Sequence, residues 1–168
     1  MEQPRNKEKI LSAGTLLFVA CWAAYCASYL GRINYTAALT AIVADGVFSK
    51  SHAGLIGTVY FFCYGAGQIF SGILGDRVSP YKMIGAGLAG TVCANIIMPL
   101  CSSSYITMSI IWGLNGIVQS MLWTPVLYII ATVLPEEQRS RACLHIASSF
   151  PIGSLLSYVI SAAAIKFA

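Results

Sequence analysis

Charge is what this sequence has least of. Ten Lys or Arg and six Asp or Glu among 168 residues make it 10% charged, against roughly 25% for a soluble domain. So few charges cannot furnish a water-facing surface, since 57% of the residues are apolar and the mean hydropathy is +0.74. Metal-ligand and redox spacings are missing as well. Cys21, Cys26, Cys63, Cys93, Cys101 and Cys143 lie in or at the ends of apolar runs and read as small, soft packing residues. His145 stands two residues from Cys143, but no acidic group adjoins to orient it; it reads as structural. Neither an enzyme nor a cofactor is expected. The net charge of +4 gives no basic stripe for a nucleic acid, because its charges sit between apolar runs.

What is there is a series of uncharged runs. Ile10–Gly31, Ser51–Gly75 and Ala142–Ile165 are 22 to 25 residues long, and Met83–Pro135 is 53. A helical span needs about 20, so the long run holds two, with "PLCSSSY" (Pro99 to Tyr105) as the turn. The expectation is a tail over 1–9 and an all-α membrane protein with spans near 10–43, 52–75, 83–100, 105–134 and 142–166. The first run exceeds the 7–15 residue core of a signal peptide and reads as an uncleaved helix. Arg5, Lys7, Lys9, Arg77, Lys82, Arg139 and Arg141 fall on one side of this arrangement, Lys50 and Lys166 on the other. Positive-inside asymmetry places the N-terminus in the cytoplasm. Five spans, the last ending with the chain, look like a fragment of a larger fold.

Arg32 interrupts the first span. An arginine at the centre of a spanning helix costs roughly 2.5–3.5 kcal/mol on insertion scales, so its place requires a reason. Either the span ends near Gly31 and Arg32 snorkels to the interface, or the helix continues to about Val43 and Arg32 faces a polar cavity. Helical spacing places Tyr25, Tyr29, Arg32 and Thr36 on one stripe, and phenol hydroxyls can share an oxyanion with a guanidinium. Tyrosine belts at membrane interfaces give the same pattern, so both readings stand. In the second span Tyr60, Tyr64, Gln68 and Ser71 share a face, and glycines at 65, 67, 72 and 75 permit close helix approach. In the fourth, Trp112, Asn115, Gln119 and Trp123 form a stripe beside Gly113, Gly116 and Ser120, with Pro125 expected to kink the helix. Pro151, Gly153 and the serines around them suggest a flexible, tightly packed fifth helix.

The loop "GILGDRVSPYK" resembles the loop 2–3 signature of the major facilitator superfamily, roughly G-x-L-x-D-R-x-G-R-R/K. Gly72, Leu74, Asp76, Arg77 and Lys82 fit, while Ser79 and Pro80 replace the usual glycine and arginine. Asp76-Arg77-x-x-Pro80, the series Leu114, Asn115, Gly116, Gln119, Ser120, Trp123 and Pro125, and the series Tyr25, Tyr29, Arg32 and Asn34 are similar to the organophosphate:phosphate antiporter branch. The chain departs from it at Ile33, where a second basic residue is usual, and at Gln68, where glycerol-phosphate carriers have lysine. A histidine of their helix five falls near Phe150 rather than at His145.

The resemblance implies the first five helices of an N-terminal six-helix bundle, working by alternating access with the missing C-terminal half of the transporter; the compact loops and absent targeting segment point to a bacterial plasma membrane. It implies a small anionic substrate, with Arg32 mid-cavity as its ligand. Tyr25, Tyr29, Tyr60, Tyr64 and Gln68 would orient the substrate, and Asn115, Gln119 and Trp123 would complete the wall. Gly72, Asp76, Arg77 and Lys82 would act in gating. Organophosphate exchange is the leading expectation. The alternatives are a carboxylate or sugar-acid symporter, a transporter-like membrane sensor of sugar phosphate, and a non-functional truncated half. These 168 residues alone are expected to carry no flux in liposomes.

Overall fold

A computed structural model describes the backbone over residues 4–167 and the side chains over 11–167. The side chains of Arg5, Lys7 and Lys9, on which the tail's charge rests, lie outside the described residues. Six α-helices follow one another: α1 (Pro4–Ala44), α2 (Lys50–Gly75), α3 (Pro80–Ile97), α4 (Tyr105–Thr132), α5 (Glu136–Ile146) and α6 (Ser149–Phe167). A single 3₁₀ turn, Met98–Cys101, extends α3. Five segments are long and apolar enough to cross a bilayer: Leu11–Ala44, Lys50–Gly75, Pro80–Cys101, Tyr105–Thr132 and Glu136–Phe167. The molecule is an all-helical, multi-pass membrane protein.

Boundaries follow local chemistry. Gly46, at φ +69°, supplies the left-handed residue that ends α1. Ser49 and Ser104 cap α2 and α4 by accepting from the backbone N–H groups of His52 and Thr107. Pro80 opens α3, where its missing N–H costs nothing. The fifth apolar segment is divided: α5 ends at Ile146, and Ser148 and Ser149 turn their hydroxyls onto the carbonyls of His145 and Ile146 before and within the first turn of α6. Short serine side chains compete with the helix ladder in this way.

Helix α4 is the axis of the packing. Gly116 meets α2 so closely that an added Cβ would lie 2.5 Å from the Tyr60 carbonyl, and one on Gly67 would lie 2.5 Å from Ser120 Oγ. Ser71 and Ser120 hydroxyls bond across this seam at 2.9 Å. In lipid, where apolar burial gives helices little reason to associate, small residues and cross-helix hydrogen bonds do that work. Of the four glycines expected to aid α2 packing, only Gly67 is tightly faced. Gly65 and Gly72 have open space where a Cβ would stand, and Gly75 has only Thr124 at 3.8 Å. Only the stripe of α2 that holds Gly67 and Ser71 meets α4 closely. Helix α4 runs through Pro125 to Thr132.

Buried side chains form three clusters along the bundle. One gathers Cys21, Val126, Ile129, Ile130, Leu134, Ala142 and Ile146; another, Tyr35, Ile56, Tyr60, Met98, Met108 and Trp112. Between them lies a small aromatic cluster of Tyr25, Tyr29 and Leu122. The outer surface is apolar as well, with Phe62 78% and Phe70 71% exposed, as a lipid-facing surface requires.

Candidate functional site

Arg32 lies inside α1, twelve residues before its end, or about 18 Å along the axis. The helix runs unbroken past Gly31 to Ala44, as the reading in which Arg32 faces a cavity requires. The guanidinium carbon sits 4.6 Å from the ring centre of Tyr64, 5.5 Å from Tyr60 and Phe61, and 5.6 Å from Tyr29. Two helices build this cage: Tyr29 is one turn before Arg32 on α1, and Tyr60, Phe61 and Tyr64 occupy one turn of α2. Each ring face attracts a desolvated cation by about 0.5–2 kcal/mol. Together they match the insertion cost of an arginine, which is how the charge is tolerated.

Rings do not satisfy donors. A guanidinium carries five N–H groups, and among the described residues Arg32 has neither a hydrogen-bond nor an ion-pair partner. The acids stand far off. Asp45 is 13 residues along α1 and Asp76 is 12 beyond Tyr64, each nearly 20 Å away by helical rise. The remaining acids lie in the tail or at Glu136 and Glu137, at the start of α5. A fixed positive charge in apolar surroundings, with its donors unspent, has the chemistry to take an anion, and a planar fork suits carboxylate or phosphate.

The other expected site residues divide into two groups. Tyr25 and Tyr29 border the cage: their hydroxyls are 3.4 Å apart, and the Tyr25 ring lies 4.9 Å from Trp123. Phe150 packs its ring 5.2 Å from that of Tyr29, so α6 closes this side with an apolar group. In contrast, Tyr60, Asn115 and Gln119 are spent on cross-helix bonds. The Tyr60 hydroxyl donates to Gln119 Oε1 at 3.0 Å, Gln119 Nε2 donates to the Ser28 carbonyl at 3.1 Å, and Asn115 Nδ2 donates to the Gly31 carbonyl at 3.0 Å. Gln68 lies one turn past Tyr64 and accepts from Thr124 Oγ1 at 3.5 Å. Thr36, on the Arg32 stripe, is exposed.

Gly72, Asp76, Arg77 and Lys82 are all exposed at the α2–α3 connection. There the Leu74 carbonyl accepts from the N–H groups of Arg77 and Val78. A small cleft of about 70 Å³ joins Gly72 and Asp76 to Thr124, Pro125 and Tyr128 of α4. Two residues escaped the sequence reading. Phe61 follows Tyr60 and is 57% exposed, yet its ring faces Arg32; its one-residue offset from the tyrosine stripe concealed it. Asn95 in α3 donates to the Gly31 carbonyl at 3.0 Å, and only its being a lone amide in an apolar span marked it.

Comparison with known proteins agrees with this architecture. The family model described as Major Facilitator Superfamily matches residues 21–168. The "Probable hexose phosphate transport protein" of Chlamydia pneumoniae is 28% identical over 145 residues, which is 86% of this chain and 32% of that protein. The "Membrane sensor protein UhpC" of Escherichia coli strain K12 is 32% identical over 103 residues, 61% of this chain and 23% of its own length. The "Glycerol-3-phosphate transporter" of Bacillus subtilis strain 168 is 31% identical over 112 residues, 65% and 25% respectively. No solved structure matches the chain. It thus spans about a third or less of the relatives it matches, which are transport proteins and a sensor rather than enzymes, and whose names fit the organophosphate carrier branch. By its matched residues and its helices, the chain belongs to the major facilitator superfamily.

Proposed function

We propose that these helices form part of the N-terminal bundle of a secondary transporter for a phosphate ester, working by organophosphate/phosphate exchange and alternating access. The observation that carries the reading is Arg32, a caged cation that, among the described residues, has no hydrogen-bond or ion-pair partner. In this reading Arg32 takes two oxygens of the phosphoryl group. Tyr25, Tyr29 and Tyr64 line the approach, and Trp123 supports Tyr25 from behind. Tyr60, Asn115, Gln119 and Gln68 hold the frame, and Gly72, Asp76, Arg77 and Lys82 serve the gate. The names of the hexose phosphate and glycerol-3-phosphate carriers support a phosphorylated substrate. The excess of basic residues around the α2–α3 and α4–α5 connections supports a cytoplasmic N-terminus in a plasma membrane.

The test is exchange of labelled organophosphate into phosphate-loaded liposomes, with the complete gene product and its Arg32→Lys variant. Lysine keeps the charge and loses the fork, so exchange is expected to fall at least about tenfold; equal rates would refute the assignment. The likeness to a membrane sensor supports a second reading. Sugar-phosphate binding without exchange, in wild type and variant alike, is its signature.

A further inference from the structure

Three side-chain amides from three helices converge on the turn of α1 that carries Arg32. The Gly31 carbonyl accepts from Asn95 Nδ2 and from Asn115 Nδ2, each at 3.0 Å. Asn95 Nδ2 also donates to the Thr91 carbonyl at 2.8 Å. Asn95 Oδ1 accepts from Asn34 Nδ2 at 2.5 Å, and Asn34 Oδ1 accepts from the backbone N–H of Tyr35 at 2.9 Å. In a regular helix the Tyr35 N–H is the donor assigned to the Gly31 carbonyl, four residues back. Both members of that pair are therefore engaged by side chains, and Arg32 sits between them. Helix α1 is continuous through this turn, so these side-chain bonds tie its backbone there to α3 and α4.

Glycine at 31 allows the arrangement. A Cβ there would collide with Thr91 Cγ2 and would stand 2.9 Å from Asn95 Nδ2. Asn115 is fully buried, whereas Asn95 and Asn34 are half-buried and line a cavity of about 300 Å³. Gln119 extends the relay one turn back, at the Ser28 carbonyl. Simple adhesion between helices would be served by any polar pair along their length. Here the bonds concentrate on the backbone next to Arg32, the one cation of the Leu11–Ala44 span.

We propose that Asn34, Asn95 and Asn115 are positioning residues that aim the Arg32 guanidinium. They act through the α1 backbone at Gly31 and Tyr35 and do not themselves touch the anion. The proposal rests on the reading of Arg32 as the anion ligand. A receptor charge must be held within about 0.5 Å of its productive place, and a relay that couples α1 to α3 and α4 supplies that constraint.

The experiment measures equilibrium binding of radiolabelled inorganic phosphate to the complete gene product, in a double-mutant cycle between Asn95→Ala and Arg32→Lys. Asn95→Ala is expected to weaken phosphate binding roughly tenfold when Arg32 is present, and by less than about twofold in the Arg32→Lys background. The same loss in both backgrounds would show a merely structural residue and overturn the proposal. Should Asn95→Ala fail to fold, Asn34→Ala replaces it with a good helix former and breaks both bonds of Asn34. A loss of about threefold or more, again confined to the Arg32 background, is expected; unchanged binding overturns the relay. Arg32→Lys leaving phosphate binding unaltered is a different failure, because it removes the anion site itself whatever the amides do.

Discussion

The tyrosines near Arg32 are alike in sequence and unlike in duty. Tyr64 offers its ring at 4.6 Å from the guanidinium, whereas the Tyr60 hydroxyl is buried and committed to Gln119 Oε1 at 3.0 Å. Tyr60→Phe keeps the ring on Arg32 and leaves a buried acceptor without its donor. That costs about 1–3 kcal/mol, so thermal unfolding of the purified protein is expected several degrees lower, with phosphate affinity within about twofold of wild type. A large affinity loss at unchanged stability would instead mean that the Tyr60 hydroxyl meets the substrate. The helical period identified the stripe, but it does not reveal which hydroxyls are already taken. That is decided by residues 59 and 91 positions away, as the Tyr60–Gln119 and Gln119–Ser28 bonds show.

Between elements, the α2–α4 seam gives the sharpest contrast. Gly116 faces the backbone of α2, with the Tyr60 carbonyl at 2.5 Å and the Tyr64 nitrogen at 3.1 Å from a would-be Cβ, whereas Gly65 on α2 faces open space. Gly116→Ala forces two helices apart and is expected to destabilise by roughly 1–3 kcal/mol. Gly65→Ala adds helix propensity and is expected to be neutral or to stabilise by up to about 1 kcal/mol. Thermal unfolding in one detergent compares the two, and equal shifts would contradict the packing. The "WGLNGIVQS" stretch already marked Gly113, Gly116 and Ser120 as a packing surface by spacing alone. The glycines of α2 were less legible, because four of them cover several faces and only Gly67 meets α4 closely. The break between α5 and α6 was likewise hidden, since hydropathy runs on through Ala147 and Ser148 and the serine hydroxyls determine it locally.

For the whole molecule, five apolar segments and a basic excess on one side make a topology that can be measured. With the native cysteines replaced, a cysteine at Ser140 in α5 is expected to resist a membrane-impermeant thiol reagent added outside intact cells. One at Ser103, in the turn before α4, is expected to react. The opposite labelling would invert the orientation proposed for the bundle. Membrane insertion, the number of apolar segments and family were determined by the sequence itself. Hydropathy over 20-residue windows and the G-x-L-x-D-R loop are local properties, and local properties survive without knowledge of neighbours. What Arg32 meets was decided only by tertiary structure. Its cage comes from α1 and α2, and the amides on the carbonyl before it come from α3 and α4. A charge in an apolar span is read from sequence as a cost; which groups offset it, and which of its donors stay unspent, depends on helices that meet only when the bundle closes.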